Sequence, residues 1–193
     1  MIYFTSDQHF WHSNVIKYCN RPYQDVEEMN EALIAKWNSI VKPEDTVYCL
    51  GDFSMAFRPV EVITPRLMGK KLLIPGNHDW CHDYNKKGRS PENNAKWRQK
   101  YTENGWEIIP QQTTIDLGDN IVVNACHHPY KFVETYDDKY AKWRPTNDGK
   151  WLLCGHVHEK WKIWDKQINV GVDVWNFEPV SVNEIKKIII ADS

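Results

Sequence analysis

The chain has 193 residues, of which 41% are hydrophobic, and a formal net charge of -2. This length suits one domain with a proper core and excludes two full-sized ones, so we expect a single domain over residues 1–193. The near-neutral charge excludes a global field that would draw the protein onto nucleic acid or an anionic membrane, and a nucleic-acid role therefore needs a local basic patch. Since no apolar run reaches membrane-spanning length, we expect no membrane partner.

The N-terminal stretch and the cysteines indicate a cellular location. The opening residues, MIYFTSDQHF, carry a charge by position 7 and lack the basic and apolar regions of a secretory signal. The five cysteines form no Cys-x-x-Cys pair, and three of them sit in strand-like apolar runs, where a free thiol behaves as a small hydrophobe. We therefore predict a reduced, cytoplasmic protein.

Short apolar runs predict strands along the chain, and each run ends in glycine or polar residues. The runs are IYFTS at 2–6, TVYCL at 46–50, KLLIP at 71–75, NIVVNAC at 120–126 and KWLLCG at 150–155, with further short strands expected within 106–117 and 161–172. Strands and helices alternate early in the chain, and strands dominate later. This order predicts an α/β domain with mixed sheets covered by helices.

Two stretches carry the pattern of a helix. In residues 25–41 the apolar residues recur at the spacing of one helical face. A second helix is predicted within residues 91–105, which end in a glycine stop signal. The C-terminal VNEIKKIII fits either a helix or a strand, and its periodicity does not decide between them.

Polar residues cluster directly after the predicted strands. The clusters are Asp7-Gln8-His9, Gly51-Asp52, Gly76-Asn77-His78-Asp79, His127-His128 and Gly155-His156-Val157-His158. Ligands of open α/β sheets bind at the carboxyl ends of the strands, so we expect the five clusters to converge on one site. Taken singly, a Gly-Asp pair is also a common turn and a lone Asp-x-His is often a surface hydrogen bond. All five clusters in this order favour a functional site.

Aspartate, histidine and asparagine side chains together are typical of a metal centre. Aspartate and histidine suit Mn, Fe or Zn, and an asparagine carbonyl adds a neutral ligand. In an extended segment His156 and His158 point to the same side, so that they can reach adjacent metals. Two cations about 3.5–4 Å apart clamp the attacking and leaving oxygens of an in-line displacement and lower the pKa of a bound water. Hydrolysis of a phosphate ester needs this chemistry.

The ordered motifs D-x-H, G-D, G-N-H-[DE], a lone H and G-H-x-H resemble the signature of the calcineurin-like metallophosphoesterases. They span residues 7–158, and the tail INVGVDVWNFEPVSVNEIKKI is similar to the ending of small bacterial and phage members. The resemblance implies an αββα sandwich, in which two mixed sheets are flanked by helices and the metals lie at one end. It also implies hydrolysis of a phosphate ester by a metal-bound hydroxide.

The resemblance further implies a ligand set for two divalent metal ions. The first metal would take Asp7, His9, Asp52 and His158, and the second would take Asp52, Asn77, His127 and His156. Asp52 would thus bridge the two ions. The choice of His127 over His128 follows the family habit H-[YH]-P, in which the first histidine is the ligand. We expect manganese, with Fe, Zn or Ni as alternatives, because availability in the cell often decides the metal.

The resemblance implies catalytic roles for two residues of the Gly-Asn-His-Asp cluster. His78 would bind the phosphate and help to protonate the leaving group, and Asp79 would orient its ring. His82, a few residues further on, is expected at the surface.

Substrate contacts are expected from two places. His12 would lie at the mouth of the site, where it either contacts phosphate or hydrogen-bonds a neighbour. Residues 129–149 are rich in Tyr, Trp, Lys and Arg, a mixture that can stack a base and hold a phosphate through Arg144, Lys142 or Tyr136. The alternative for this stretch is a solvated surface loop with anchoring aromatic side chains.

The leading interpretation is a phosphodiesterase that acts on a small phosphorylated substrate, a nucleotide or a nucleic-acid end. A phosphomonoesterase is the alternative within the same class. The G-D-x-V-D-R-G run of protein serine/threonine phosphatases is replaced here by GDFSMAFRP, which disfavours that role. A non-catalytic metal-binding scaffold is an alternative of another class, although the complete motif set argues against it. A structural zinc protein would instead unfold when the metal is removed.

Overall fold

Two five-stranded sheets form the centre of the fold in the computed structural model, which describes residues 1–83, 85–88, 90–130 and 140–192. The strands are β1 (Ile2–Thr5), β2 (Thr46–Cys49), β3 (Lys70–Leu73), β4 (Trp106–Ile108), β5 (Gln112–Asp116), β6 (Val122–Cys126), β7 (Leu152–Cys154), β8 (Ile163–Trp164), β9 (Gln167–Asn169) and β10 (Val180–Ser181). The first sheet has the order β10-β1-β2-β3-β4, in which only β10 is antiparallel. The second has the order β5-β6-β7-β9-β8, in which the two edge strands β5 and β8 are antiparallel.

Helices flank the sheets. They are α1 (Ser13–Tyr18), α2 (Val26–Ile40), α3 (Arg58–Ile63), α4 (Pro91–Glu103) and α5 (Val182–Ala191), with short 3-10 helices at Thr64–Arg66, Ala141–Trp143 and Val172–Val174. Both predicted helices, α2 and α4, are confirmed, and each begins at a side-chain cap, Asp25 and Ser90 respectively. The undecided C-terminal segment is the helix α5, capped by Ser181. Within the described ranges, none of the helices is long and apolar enough to cross a membrane.

The apolar core divides into two main layers on opposite faces of the first sheet. One layer packs the sheet against helices, and it includes Val47, Cys49 and Leu73 with Met29, Leu33 and Trp37 of α2. The other layer lies between the sheets, and it includes Phe4, Leu50 and Ile74 with Val123, Leu153 and Ile168. Successive residues of an extended chain face opposite sides, which explains why the neighbours Cys49 and Leu50 enter different layers. The expected sandwich of two mixed sheets flanked by helices is confirmed.

The carboxyl ends of the parallel strands of both sheets meet at one edge. A β-bridge between Ser6 and Gly171 joins the loop after β1 to the loop after β9. Backbone hydrogen bonds connect the neighbouring loops, from the Asp7 N–H to the Gly51 carbonyl at 3.0 Å and from the Gly155 N–H to the carbonyl of His127 at 3.0 Å. The polar clusters predicted at the strand ends are therefore brought to the same place.

Candidate metal centre

The polar clusters lie in loops whose backbone adopts an uncommon conformation. Positive φ angles occur at Asp7 (60°), His9 (53°), Asp52 (54°), His156 (72°) and His158 (50°). Residues with a side chain rarely occupy this left-handed region, and such conformations cost about 1–3 kcal/mol each. Hydrogen bonds between the loops hold them in place; for example, the His9 N–H donates to the carbonyl of Asp52 at 3.1 Å. Backbone strain of this kind concentrates at functional sites.

Asp52 lies at the centre of the converging side chains. Its Oδ2 atom is 3.4 Å from Nε2 of His127, 3.7 Å from Nε2 of His9 and 3.9 Å from Nε2 of His78. The Asp52 residue is only 2% exposed, so this carboxylate is held away from bulk water. A carboxylate in this position, among histidines from several loops, is a candidate metal ligand.

Three overlapping sets of potential ligand atoms lie around this carboxylate, and a fourth set, Cys19, His158 and Asp173, adjoins them through His158. In each set the atoms lie within 4.8 Å of one another, and the sets are Asp7, His9 and His158; Asp7, Asp52 and His127; and His127, His128 and His156. The first set contains three of the four ligands that the sequence predicts for the first metal. Because Asp7 and His127 each belong to two sets, the ligands form one continuous cluster.

Several buried polar atoms of these residues lack a hydrogen-bond partner within the part of the chain that the structure describes, and this shows whether the residues suit a metal ion. Both ring nitrogens of His9, Oδ1 of Asn77 and Nε2 of His127 are buried and have no hydrogen-bond partner among the described residues. Leaving a buried polar atom unpaired costs about 1–3 kcal/mol, so such atoms usually face an ion or a water. Imidazole nitrogen and amide oxygen are ligands for divalent transition metals. The donor set therefore fits divalent cations.

Two glycines allow the backbone to approach the acidic ligands. A Cβ atom on Gly155 would collide with Ser6 and with the carboxylate of Asp7, and one on Gly76 would collide with the carboxylate of Asp52. The close approach is used in hydrogen bonding, because the N–H of His156, next to Gly155, donates to Oδ2 of Asp7 at 3.0 Å. Any larger residue at these two positions would displace a candidate ligand.

Burial and neighbouring charges shift the pKa values of the central residues in opposite directions. Burial raises the pKa of Asp52, but His127 and His78 outweigh this effect, and the pKa lies well below its usual range. Burial lowers the pKa of His127, but the Asp52 carboxylate prevails and raises it to about 9. The pKa of His9 falls well below its usual range because the ring is buried. An ionised Asp52 and a neutral His9 are the forms that bind metals.

His78 lies at the open side of the cluster. Its side chain is 36% exposed, and its ring packs against that of His9 with a centroid distance of 5.3 Å. The backbone N–H of His78 donates to Oδ1 of Asp52 at 2.8 Å. The residue is therefore tied to the central carboxylate while its imidazole remains accessible.

Asp79 occupies a different position from the expected one beside the His78 ring. The buried carboxylate accepts hydrogen bonds from the backbone N–H groups of Gly76 at 2.8 Å, Asp52 at 2.9 Å and Phe53 at 3.2 Å. Three backbone donors converge on it because two loops meet at this point. Asp79 thus fixes the loop that carries Asp52, and these three hydrogen bonds come from the backbone rather than from the ring of His78.

Residues 1–160 match the family model of the calcineurin-like phosphoesterases. The chain belongs to this family. The resemblance drawn from the motifs is thereby confirmed. Family membership supports a metal-dependent phosphoric ester hydrolase, and the Asp and His clusters at the strand ends supply candidate ligands for its divalent ions.

Relatives extend the similarity beyond the matched residues of the family. An uncharacterized protein of Methanocaldococcus jannaschii is 32% identical over 198 residues, which cover 97% of this chain and 90% of that protein. The Gene 66 protein of Mycobacterium phage L5 is 32% identical over 205 residues, covering 97% of this chain and 93% of that protein. A crystal structure of a protein of unknown function from Aquifex aeolicus has the same fold, with a TM-score of 0.70, 24% identity and coverage of 97% and 98%.

The two predicted substrate contacts lie beside opposite parts of the phosphoesterase site. His12 is half-buried next to His9, with a distance of 5.3 Å between the ring centroids. Arg144 donates from Nη1 to the carbonyl of Pro129 at 2.9 Å, and its charge lowers the pKa of His156 after the larger effect of burial and that of His127. Both residues are therefore near the ligands, on different sides of the cluster.

The other two residues proposed for the substrate loop do not strengthen that role. The ammonium group of Lys142 is exposed and lies 4.6 Å from the centroid of the Trp143 ring. This contact agrees with the alternative of a surface loop with anchoring aromatic side chains. Tyr136 lies outside the described residues.

His82 and His128 form a buried layer behind the second group of ligands. The prediction that His82 is at the surface is wrong, since it is 1% exposed. A turn, closed by the bond from its N–H to the carbonyl of Asp79 at 3.0 Å, carries it inward. Its ring lies 5.9 Å from that of His128, which in turn lies 4.8 Å from that of His156. Burial lowers the pKa of His82 to about 3, so the ring is neutral.

One carboxylate next to a candidate ligand is not predicted from the sequence. Asp173 lies in the 3-10 helix Val172–Val174, and its Oδ2 atom is 3.1 Å from Nδ1 of His158. Its position after β9, at the same carboxyl edge as the other clusters, could have indicated a site residue. It stands outside the five motifs, however, and no local pattern connects it with His158.

Proposed function

We propose that the protein is a dinuclear metal-dependent phosphodiesterase that acts on a small nucleotide or on a nucleic-acid end. The main support for this proposal is the position of the Asp52 carboxylate. It lies within 4 Å of three histidine Nε2 atoms and among overlapping sets of potential ligand atoms. The proposed ligands are Asp7, His9, Asp52 and His158 for the first ion and Asp52, Asn77, His127 and His156 for the second. Manganese is the proposed metal, with Fe, Zn or Ni as alternatives.

The residues of the chain supply positioning and proton transfer around the ions. When bound, a pair of cations supplies Lewis acidity and a water of lowered pKa. His78, with its partly exposed imidazole, is placed to hold a phosphate oxygen and to give a proton to the leaving oxygen. Its backbone bond to Asp52 keeps the imidazole next to the ligands. Asp79 supports this arrangement through the loop of Asp52 rather than through the ring of His78.

Two observations favour a diester over a monoester. The guanidinium of Arg21 is engaged by Asp173 and by the carbonyls of Asp7 and Gln8, so it does not supply a cation for the second negative charge of a phosphomonoester. At the mouth, the 72% exposed Tyr18 packs its ring 6.3 Å from that of His12 and offers a surface for an organic substituent. Aromatic side chains at such positions stack bases. A phosphomonoesterase remains the second candidate, with Arg144 as its cation.

The proposal also includes the domain organisation and the cellular location. The site is built from loops of both sheets, which supports a single catalytic domain over residues 1–193. All five cysteines are free thiols, and four of them are buried, which supports a reducing, cytoplasmic location.

The decisive experiment adds metals singly to metal-stripped protein. Bis-p-nitrophenyl phosphate and p-nitrophenyl phosphate are offered with Mn²⁺, Ni²⁺, Zn²⁺ or Mg²⁺. We expect metal-dependent hydrolysis of the diester with little on the monoester, and a loss of about 10²–10⁴-fold in kcat for His78→Ala, since it removes general acid catalysis. Lys187→Ala, on the exposed face of α5, is the control.

Each alternative has its own outcome in this experiment. Preference for the monoester would replace the diesterase by the second candidate. Folded protein that binds the ions and hydrolyses neither ester with any metal would identify a non-catalytic scaffold. Equal activity of His78→Ala and the unchanged protein would remove His78 from catalysis.

A further inference from the structure

A buried ionic network lies directly behind the His158 ring. The guanidinium of Arg21 forms a bidentate pair with Asp173, from Nε to Oδ1 at 2.7 Å and from Nη2 to Oδ2 at 3.0 Å. The two side chains are 0% and 2% exposed. The Oδ2 atom of Asp173 is also 3.1 Å from Nδ1 of His158. One carboxylate therefore connects a buried guanidinium with the imidazole of a proposed metal ligand.

The same guanidinium holds the loop that carries the first two ligands. It donates from Nη2 to the carbonyl of Asp7 at 2.7 Å and from Nη1 to the carbonyl of Gln8 at 2.8 Å. The planar donor fork of arginine fixes the relative positions of the groups that it contacts. Asp7 and His9, on either side of Gln8, have positive φ angles, so this loop needs outside support to keep its conformation.

The contact at Nδ1 also determines which nitrogen of His158 faces the ligands. A carboxylate that occupies Nδ1 leaves Nε2 for a metal, as in carboxylate–histidine–metal arrangements generally. The ring orientation is further fixed by stacking on His9, with a centroid distance of 5.0 Å and an interplanar angle of 26°. The side chain of Asn169 donates to the backbone carbonyl of His158 at 2.7 Å. The imidazole is thus held through its ring and its backbone.

We propose that Arg21 and Asp173 are positioning residues for the first metal ion, acting through His158 and the Asp7 loop. They set the affinity of the subsite formed by Asp7, His9 and His158, and they leave the subsite of Asn77, His127 and His156 unchanged. Neither residue belongs to the family motifs from which the ligands were inferred. The inference rests on the proposed function only in that it requires two metal subsites.

A purely structural ion pair would behave differently. Its loss would weaken packing between the chain after α1 and the 3-10 helix Val172–Val174, and would affect both subsites together or neither. Truncation of Asp173 to alanine confuses these cases, because it removes the charge, both acceptor oxygens and the packed volume of the side chain together. Asp173→Asn keeps the shape and one acceptor oxygen, and it removes the charge that pairs with both Arg21 and His158.

The experiment titrates metal-stripped protein with Mn²⁺ by calorimetry. The variants are Asp173→Asn and the matched control Asp119→Asn, which removes a carboxylate from the exposed pair with Lys186. We expect Asp173→Asn to weaken one of the two Mn²⁺ affinities by about 10–100-fold and to leave the other within about twofold, as for other partners that orient metal-binding histidines. The control should match the unchanged protein in both affinities.

A spectroscopic readout separates positioning from packing. In Zn²⁺-loaded protein with ¹⁵N-labelled histidine, the unchanged chain should show His158 protonated at Nδ1, and Asp173→Asn should shift that signal alone among the ligand histidines. Should Asp173→Asn fail to fold, Arg21→Lys retains the charge but not the fork and should weaken the same affinity. Unchanged affinities, or an equal loss in both, would overturn the proposal. Because no turnover is measured, this result is independent of whether the protein hydrolyses an ester.

Discussion

The two halves of the proposed metal centre are supported in different ways. Behind the half with His9 and His158, a fully paired ionic network reaches from Arg21 through Asp173 to the imidazole. Behind the other half the support is uncharged. His127 is held by a bond of 2.7 Å between its Nδ1 atom and the carbonyl of Leu50, and neutral rings pack around it.

The difference shows that one chemical task has two structural solutions. A metal-binding histidine needs a partner on its second nitrogen, and either a carboxylate or a backbone carbonyl provides one. A carboxylate adds negative charge and makes the histidine a stronger ligand, whereas a carbonyl mainly fixes the ring. We therefore expect the first half to respond to changes of charge and the second half to changes of shape. Asp52 belongs to both halves.

The largest effect is expected from Asp52→Asn. This substitution affects both halves of the proposed centre, so it does not distinguish them. The amide keeps the shape but removes the charge that two cations would share. Loss of one preorganised electrostatic group costs about 10²–10³-fold in kcat, and we expect at least this loss on bis-p-nitrophenyl phosphate. Asp165→Asn, at an exposed turn, is the control. Activity within about tenfold of the unchanged protein would show that Asp52 does not bridge.

The next largest effect distinguishes His127 from His128 in the half whose supporting groups are uncharged. Nε2 of His127 lies 3.4 Å from the Asp52 carboxylate, whereas the ring of His128 packs against the rings of His127 and His156. His127→Ala should therefore remove one bound ion. His128→Ala should weaken binding by about tenfold, the low end for partners outside the ligand sphere. Metal content and kcat/KM of both variants provide the measurement, and the reverse order would make His128 the ligand.

Metal removal is expected to have a moderate effect on stability. The apolar layers on the two faces of the first sheet are built without the site, so chelation should leave the fold intact. A site filled at a hundredfold excess over its Kd adds about 2.7 kcal/mol, and each kcal/mol shifts Tm by about 2–4 °C in a chain of this size. We expect Tm to fall by roughly 5–10 °C for each ion lost, measured by circular dichroism. Unfolding upon chelation would instead indicate a structural metal.

Part of this arrangement could be predicted from the sequence. The five clusters could be assigned because each follows a strand and parallel strands end at one edge of a sheet. Arg21 and Asp173 could not, since they are 152 positions apart and only the fold brings them together. The helices α1 and α3 have six residues each, too few to show a period. Burial of His82 depends on a turn and on tertiary packing, neither of which a single histidine reveals.

The C-terminal helix illustrates a different reason for an undecided prediction. In α5 the three consecutive residues Ile188, Ile189 and Ile190 suit a strand as well as a helix, so the periodicity of the segment does not decide between them. The structure resolves the choice through the Ser181 cap and through burial of Val182, Ile185 and Ile189, which lie three or four positions apart. This spacing places the three side chains on one face of the helix, and that face packs on the apolar layer between the sheets.

The smallest effects are expected at the mouth, where His12 lies beside the ionic half and Arg144 beside the uncharged one. A partly exposed charged contact contributes up to about 1 kcal/mol, so Arg144→Ala should raise KM by up to roughly fivefold with kcat nearly unchanged. The increase should be larger for a nucleotide with a second phosphate than for bis-p-nitrophenyl phosphate. His12→Ala, next to His9, should affect the two substrates equally, and Lys142→Ala should affect neither. A fall in kcat at constant KM would place Arg144 in transition-state binding instead.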